Sequence, residues 1–508
     1  MGAPPGSGLA PDVTTTHGAE VVVVGSGLSG LEASVSLLQH GARDVLVLEG
    51  GSADAATLEG ASNGVGGASA AGLAPQRSRT SDLPPHYDQD PFGPARVGGR
   101  SLRWHGVVLR LEDWALDDPH WPAPVRGALR GSGQDEAGLY AQVESDLQAW
   151  QRHTAEISFD DADATFVALL AEVLPGPVQT VPQAVRRWRA GTQDHWRAYT
   201  PLDLWREQVG EPGVPDRTPA ILPDAEALAV LTAGGRVTGV RVRHASTRAV
   251  STIACSRVLL AAGTLENTRL IAQLQARRGA GDADARFTGL NDHLTQGFVA
   301  SVPAAALPPV LRAGAFALLA RDRQHRCNLF ARLHPAPDGA ESLLLDVWAM
   351  SEQERSSASS VAYLKRQHLP WTAHVHPGLS PADEAVLTGG RILLDAVWAR
   401  LGERLGVPVA PLHFPDFLHT PRPFENAYHA ASTDSSQRPW TYTWPLGASD
   451  HEGGTLPLGE VLDDTGQLRT VRGVFVVGPA TFPRAGAANP SLTTLALARY
   501  TARALAAG

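Results

Sequence analysis

The chain has 508 residues and a net charge of −9, from 43 basic and 52 acidic side chains. That balance disfavours non-specific nucleic-acid binding, which needs clustered cations against phosphates. Hydrophobic residues at 43% and charged residues at 19% fit a folded globular protein, no apolar run reaches the roughly 18 residues of a membrane helix, and two cysteines, Cys255 and Cys327, cannot build a disulfide framework or a cysteine metal cage.

Residues 1–18 are rich in Pro, Gly, Ser and Thr without a basic-then-apolar leader pattern, so they read as a frayed tail. Together with the cysteine usage this predicts a cytoplasmic protein. Val21-Val22-Val23-Val24 is a continuous β-branched run, the pattern of a parallel strand buried on both faces. The turn Gly25-Ser26-Gly27-Leu28-Ser29-Gly30 leads into a helical stripe of Leu31, Val35 and Leu38, closed by Gly41. A second strand, Val45 to Leu48, ends at Glu49. Strand, glycine turn, helix and strand form a β-α-β unit of about 30 residues, the size of a dinucleotide-binding unit.

From Gly50 to Gly99 the composition predicts long loops, which in a compact domain carry function or cover a cofactor. Residues 115–214 carry helical stretches rich in Trp and Arg, and 225–263 alternate as strands ending in the apolar run Val258 to Gly263. Strand-like runs recur through 297–372, among them Ser342 to Trp348, and 381–405 read as one amphipathic helix. Val474 to Val477 form a last strand, and Asn489-Pro490 opens a last helix whose buried stripe is Leu492, Leu495, Ala498, Ala502 and Leu505.

The glycine turn has a physical job at each position. Gly25 permits the tight turn, Gly27 lets backbone N–H groups approach a pyrophosphate, and Gly30 lets helix pack on strand. The pyrophosphate then rests on the positive helix N-terminus. Glu49, 24 residues after Gly25, can accept from ribose hydroxyls. These features alone do not separate NAD from FAD. Gly60-Ala61-Ser62-Asn63-Gly64 has the spacing of a hydrolase elbow but no flanking strand and helix, and reads as a glycine-rich loop. His374-x-His376 has no acidic neighbour in sequence and reads as a polar loop rather than metal ligands. Trp440, Tyr442 and Trp444 fit a substrate-pocket wall or a core strand equally.

In its ordered blocks the chain resembles the glucose–methanol–choline (GMC) flavin oxidoreductases. The blocks are Gly25–Gly30 with Glu49, Val97 to Trp104, Leu259 to Gly263, Gly289-Leu290-Asn291-Asp292-His293, His451-x-x-Gly454-Thr455, and Phe482-Pro483 through Asn489-Pro490-x-x-Thr493. The resemblance implies an α/β fold: a Rossmann-like FAD-binding domain interleaved with a substrate-binding domain built on a mostly antiparallel sheet with helices. The FAD-binding domain would comprise 19–114, 215–296 and 450–508, and the substrate-binding domain 115–214 and 297–449. It also implies hydride transfer from an alcohol to FAD, with His451 as the catalytic base and Asn489 holding the alcohol oxygen. The implied FAD contacts are Gly25, Gly27, Leu28, Ser29, Gly30, Glu49, Gly98, Gly99, Ser101, Trp104, Ala262, Gly263, Gly478, Asn489, Pro490 and Thr493. The helix from Pro490 would aim its positive end at the reduced flavin.

Covalently flavinylated members carry a histidine where this chain has Arg103, with His105 out of register, so the FAD is expected to be non-covalent. The runs Gly98–Gly106 and Tyr199–Trp205 look similar to bacterial members acting on sugar-like polyols, including those that oxidise the primary alcohol of paromamine-like aminoglycoside precursors. The expected substrate is therefore a small alcohol, in its finest form a cationic aminosugar, oxidised at a primary alcohol or, alternatively, at a secondary ring hydroxyl. The electron acceptor is oxygen or another molecule, with no nucleic-acid or membrane partner. A nicotinamide-dependent dehydrogenase is the first rival, opposed by the C-terminal Asn489-Pro490 block. The second is a non-catalytic flavin-binding protein, which would fit had His451 or Asn489 been lost.

Overall fold

The computed structural model describes residues 18–53, 79–82, 96–131, 137–152, 160–174, 176–190, 193–212, 218–277, 284–335, 340–366, 368–407, 409–434 and 438–507. The N-terminal segment before Gly18 and the Gly60–Gly64 motif lie outside them.

A five-stranded parallel sheet organises one half of the molecule, in the order Val474–Val476, Arg257–Leu260, Val21–Val24, Val45–Leu48, Ala220–Leu222. The valine run sits at its centre, in register with a strand on each side, and all four valines are buried. A strand covered on both faces has no solvent side to mark with polar residues, which is why this run lacks alternation. The helix Leu28–Gln39 packs against the C-terminal helix Ser491–Ala507, whose five stripe residues are all buried as expected. Gly41, at φ +92°, ends the first helix in a conformation that disfavours any residue with a Cβ.

The other half is built on a six-stranded sheet in the order Trp440–Thr443, His293–Pro303, Ser342–Glu352, Cys327–Leu333, Ala315–Asp322, Gln179–Thr180, all pairs antiparallel. The helix Pro381–Leu405 spans the residues expected of it, opened by a capping box between Ser380 and Asp383 and closed at Gly406. It covers one face of this sheet, where Trp398 meets Phe298 edge-on at 5.5 Å. Smaller sheets flank the two large ones. One is three-stranded (Val250–Ala254, Arg236–His244, Ala225–Ala233), one is four-stranded (Ala285–Thr288, Ser360–Leu364, Thr372–His376, Arg79–Ser81), and one is a hairpin (Val185–Ala190, Gln193–Ala198). The fold is thus α/β, a parallel Rossmann-like unit joined to a mostly antiparallel sheet with helices. Among the described residues no helix is long and apolar enough to cross a membrane.

Two readings of the sequence change here. His374 and His376 lie on a strand rather than in a loop, and Arg79–Ser81 is a strand inside the stretch read as loops. Both segments are short and polar, so their pairing is set by chain segments far away in sequence, which no local pattern reports.

Candidate active site

One cavity of about 1150 Å³ runs from the glycine turn, past His451 and Asn489, to the aromatic face of the six-stranded sheet. Ordinary ligand pockets occupy about 300–1,000 Å³, so the space suits a dinucleotide and a substrate together.

At one end the glycine turn fits a pyrophosphate. A Cβ on Gly30 would stand 1.9 Å from the Gly25 carbonyl oxygen, which fixes the close approach of helix and turn. A Cβ on Gly27 would meet no protein atom within 4 Å, because that position opens onto the cavity. Gly27, Leu28 and Ser29 line the cavity where the helix begins, and the N-cap Gly27 offers no side-chain oxygen to the first N–H groups. Glu49 is buried, its carboxylate accepting from Ser26 N at 3.1 Å, Ser26 Oγ at 2.7 Å and Gly51 N at 2.9 Å. Of a carboxylate's four or so acceptor positions about one is left for a ribose hydroxyl.

The segment around Gly98 closes over this turn. Gly98 N donates to Ser26 Oγ at 3.1 Å, and Gly99 packs on Gly27. Ser101 Oγ donates to the Gly98 carbonyl at 2.6 Å and pairs with Thr200 Oγ at 2.7 Å, while Trp104 Nε1 donates to the Tyr199 carbonyl at 2.8 Å. The segments Gly98–Gly106 and Tyr199–Trp205 are therefore joined directly. Gly99, Ser101, Trp104, Ala262, Gly263, Asn489 and Pro490 line the cavity, as does Arg103. Gly30, Gly98 and Gly478, expected among the FAD contacts, do not line it: Gly30 lies against the Gly25 carbonyl, and Gly98 N bonds Ser26 Oγ. Thr493 turns away to bond Tyr140 at 2.8 Å, and its neighbour Thr494 faces the cavity with a buried Oγ that has no protein partner. An orphaned hydroxyl, an open glycine and a free helix start are features that a bound FAD would satisfy.

His451 and Asn489 both line this cavity. Asn489 Oδ1 is buried without a protein partner, so it does not cap the helix that follows. Its loop is pinned by Arg484, bonded to Glu352 at 2.7 and 2.9 Å and to Asp118 at 2.9 Å, and by Glu112, which accepts from Ala487 N at 3.1 Å.

His293 is the residue that sequence reasoning passed over. The isolated bridge between Asn291 and Gly453 lays the block 289–293 beside 451–454, bringing His293 Nδ1 within 2.8 Å of His451 Nδ1. His293 Nε2 lies 3.2 Å from the Gly486 carbonyl, which can only accept. Burial pushes His293 down to about 4, so it is neutral at pH 7 and its single proton sits on Nε2. The hydrogen shared between the rings then belongs to His451 Nδ1, and His451 Nε2 is left as a bare lone pair. Burial first, then His293, holds His451 well below its ordinary value, so this lone pair persists at neutral pH. Asp292 Oδ1 accepts from the backbone N–H groups of His293 at 2.7 Å and His451 at 3.2 Å, tying together the two backbone segments that carry the rings.

The far wall is aromatic. Phe316, Trp348 and Phe330 stack with centroids 5.2–5.8 Å apart. Beside them Asp346 is pushed up to about 7 by burial, partly offset by the Tyr442 hydroxyl that donates to it at 2.8 Å and by Arg332. Tyr442 and Trp444 line the cavity and Trp440 does not, while Trp440 and Tyr442 lie on the strand Trp440–Thr443 and Tyr442 is buried in the core. His105 presents its ring to the cavity and stacks on Trp196 at 6.0 Å.

Residues 356–498 match the family model described as GMC oxidoreductase. Solved structures of similar fold include pyridoxine 4-oxidase from Mesorbium loti, at 17% identity over 96% of this chain and 99% of that one, with a TM-score of 0.57. A formate oxidase matches at 14% identity over 97% and 99%, with a TM-score of 0.59. A formate oxidase from Aspergillus oryzae, studied for the effect of a mutation on FAD modification, matches at 13% over 97% and 99%, with a TM-score of 0.60. At these identities the likeness is one of fold. No curated protein matches the chain in sequence.

Proposed function

We propose that this FAD-dependent GMC-type oxidoreductase, an enzyme acting on CH–OH groups, oxidises a ring-bearing primary alcohol to the aldehyde with His451 as its general base. The observation that carries the reading is the chain of contacts from His451 Nδ1 to His293 Nδ1 at 2.8 Å and from His293 Nε2 to the Gly486 carbonyl at 3.2 Å, from which follows a tautomer that leaves His451 Nε2 able to take a proton. What FAD supplies when bound is a two-electron acceptor for the hydride. The chain's own residues do the rest. Gly25, Gly27 and the start of the helix at Leu28 hold the pyrophosphate, Glu49 a ribose, and Asn489 the alcohol oxygen. The first turn of the helix after Pro490 adds a positive end at the cavity.

FAD is held without a covalent bond on this reading, because Arg103 stands at the position of the linking histidine and a guanidinium forms no such bond. Acid precipitation should release all the yellow colour to the supernatant; colour left in the pellet would refute it.

The substrate on this reading is an amino-bearing cyclic polyol. The Asp346 and Glu425 carboxyl groups on the cavity wall suit ammonium groups, and the aromatic stack suits the apolar face of a sugar ring. A second reading, a planar aromatic alcohol, is favoured by the same stack together with Arg332 beside Asp346, and the neighbour named pyridoxine 4-oxidase is in keeping with it. Anaerobic flavin bleaching separates them. Bleaching by paromamine-like compounds supports the first, bleaching by hydroxymethylpyridines alone supports the second, and bleaching by straight-chain alcohols alone overturns both.

His293 acts on this reading as a positioning residue. His293→Phe should slow flavin reduction by about ten- to a hundredfold, less than loss of the base itself. His293→Gln, whose amide oxygen accepts the same hydrogen, should recover most of the rate. Equal losses in the two variants would mean that His293 only fills space.

A further inference from the structure

We infer that Asp82, His374 and His376 form a second site, which binds one divalent transition metal of the zinc class at the edge of the four-stranded sheet. None of the three lines the large cavity, so the site is separate from the alcohol chemistry.

The geometry follows from strand periodicity. Residues two apart on a strand share a face, and His374 and His376 stand side by side on Thr372–His376 with ring centroids 4.4 Å apart. The strand Arg79–Ser81 pairs with it in parallel, setting Thr80 opposite His374 and Ser81 opposite Val375. Asp82 N then donates to the Val375 carbonyl at 3.2 Å, which carries the Asp82 side chain across to the two imidazoles. Asp82 Oδ1 is 2.7 Å from His374 Nε2 and Oδ2 is 2.5 Å from His376 Nδ1. One ligand atom from each residue falls within 4.8 Å of the others.

Two imidazole nitrogens and one carboxylate oxygen are a donor set for Zn²⁺, Ni²⁺ or Cu²⁺, whereas Ca²⁺ and Mg²⁺ prefer oxygen alone. The surroundings orient one ligand already. His374 Nδ1 lies 2.5 Å from Thr80 Oγ, so a proton on Nδ1 donated to the hydroxyl presents the Nε2 lone pair toward Asp82. Metal-bound histidines are characteristically held by such an outer hydrogen bond. His376 Nε2 faces Arg286 at 3.2 Å. Ligation through Nδ1 moves the ring proton to Nε2, and the exposed Arg286 side chain is free to swing into solvent. The fourth tetrahedral position is left to water, since Asp82 is half exposed and both histidines are partly so.

A metal here would act as a clip. Asp82 directly follows the strand Arg79–Ser81 at the edge of the sheet. The edge strand Arg79–Ser81 has three residues, and ligation would fasten it to its neighbour far more firmly than so few backbone hydrogen bonds do.

The test is calorimetric titration of tag-free, metal-stripped, FAD-loaded protein with Zn²⁺. One equivalent should bind and raise the melting temperature. His374→Ala and His376→Ala should abolish both effects, and Thr80→Val should weaken binding by about 10- to 100-fold. Asp82→Asn, which keeps the shape of the side chain, serves should either alanine variant fail to fold, as judged by loss of bound flavin. His419→Ala, which removes a histidine paired with Asp416 elsewhere on the surface, should bind as the parent does. Absence of saturable binding, or binding undiminished in His374→Ala and His376→Ala, would overturn the inference.

Discussion

His451→Ala is expected to slow flavin reduction by about 10²–10⁴-fold while the purified protein stays yellow, the range that loss of a general base typically costs. The reason is positional. His451 lines the same cavity as the glycine turn, and its proton-accepting nitrogen is set by His293 rather than by a residue of that turn. Asn489→Ala should cost about 10²-fold, since it removes an oriented hydrogen bond and no proton acceptor. It should leave stability nearly unchanged, because Asn489 Oδ1 makes no cap to the helix. The double variant should lose much less than the product of the two factors, as both groups act on one oxygen. The pH profile carries the sign. Burial lowers the His451 value, so the base stays unprotonated as pH falls through 6.5, and the reduction rate should be flat there and decline only at more acid pH. Anaerobic stopped-flow bleaching reads all of these free of the electron acceptor. A His451→Ala enzyme reducing at the parent rate would move the base elsewhere, with His105 on the same cavity the first residue to replace.

Gly30→Ala should yield protein without bound flavin and with a melting temperature several degrees lower. Its Cβ would sit 1.9 Å from the Gly25 carbonyl oxygen and 3.2 Å from Ala261 Cβ. The first of these is backbone, so the helix itself must lift off the turn. Overpacking of this kind costs roughly 1–3 kcal/mol, occasionally more, and it also displaces the N–H groups meant for the pyrophosphate. Gly27→Ala separates the two effects. Gly27 has φ −74° and ψ −166°, which alanine adopts readily, and its Cβ would meet no protein atom. The variant should therefore melt as the flavin-free parent does yet bind FAD much more weakly, because the added methyl fills the approach to the phosphates. Full flavin occupancy in Gly27→Ala would show that the pyrophosphate lies elsewhere.

The parallel unit was legible in the sequence because its information is local. Four consecutive valines, three glycines at fixed spacing and a second apolar run write strand, turn, helix and strand within 30 or so residues. The stripe Leu492 to Leu505 and the helix 381–405 were legible for the same reason, a 3.6-residue period that survives wherever the helix ends up. His451 and Asn489 were reached by resemblance, and tertiary structure put both on one cavity. What tertiary structure alone decided are the relations between distant segments. His293 became a partner of His451 across 158 residues, Arg332 and Asp346 became cross-strand neighbours on the cavity, and Asp82 came to two histidines 292 and 294 residues away. Apart from the pair His374-x-His376, none of these residues carries a periodic or spacing signal of its own. Their chemistry is set by which hydrogen-bonding atom another strand brings within 3 Å or so, and strand pairing is fixed by the packing of whole sheets rather than by neighbours in sequence.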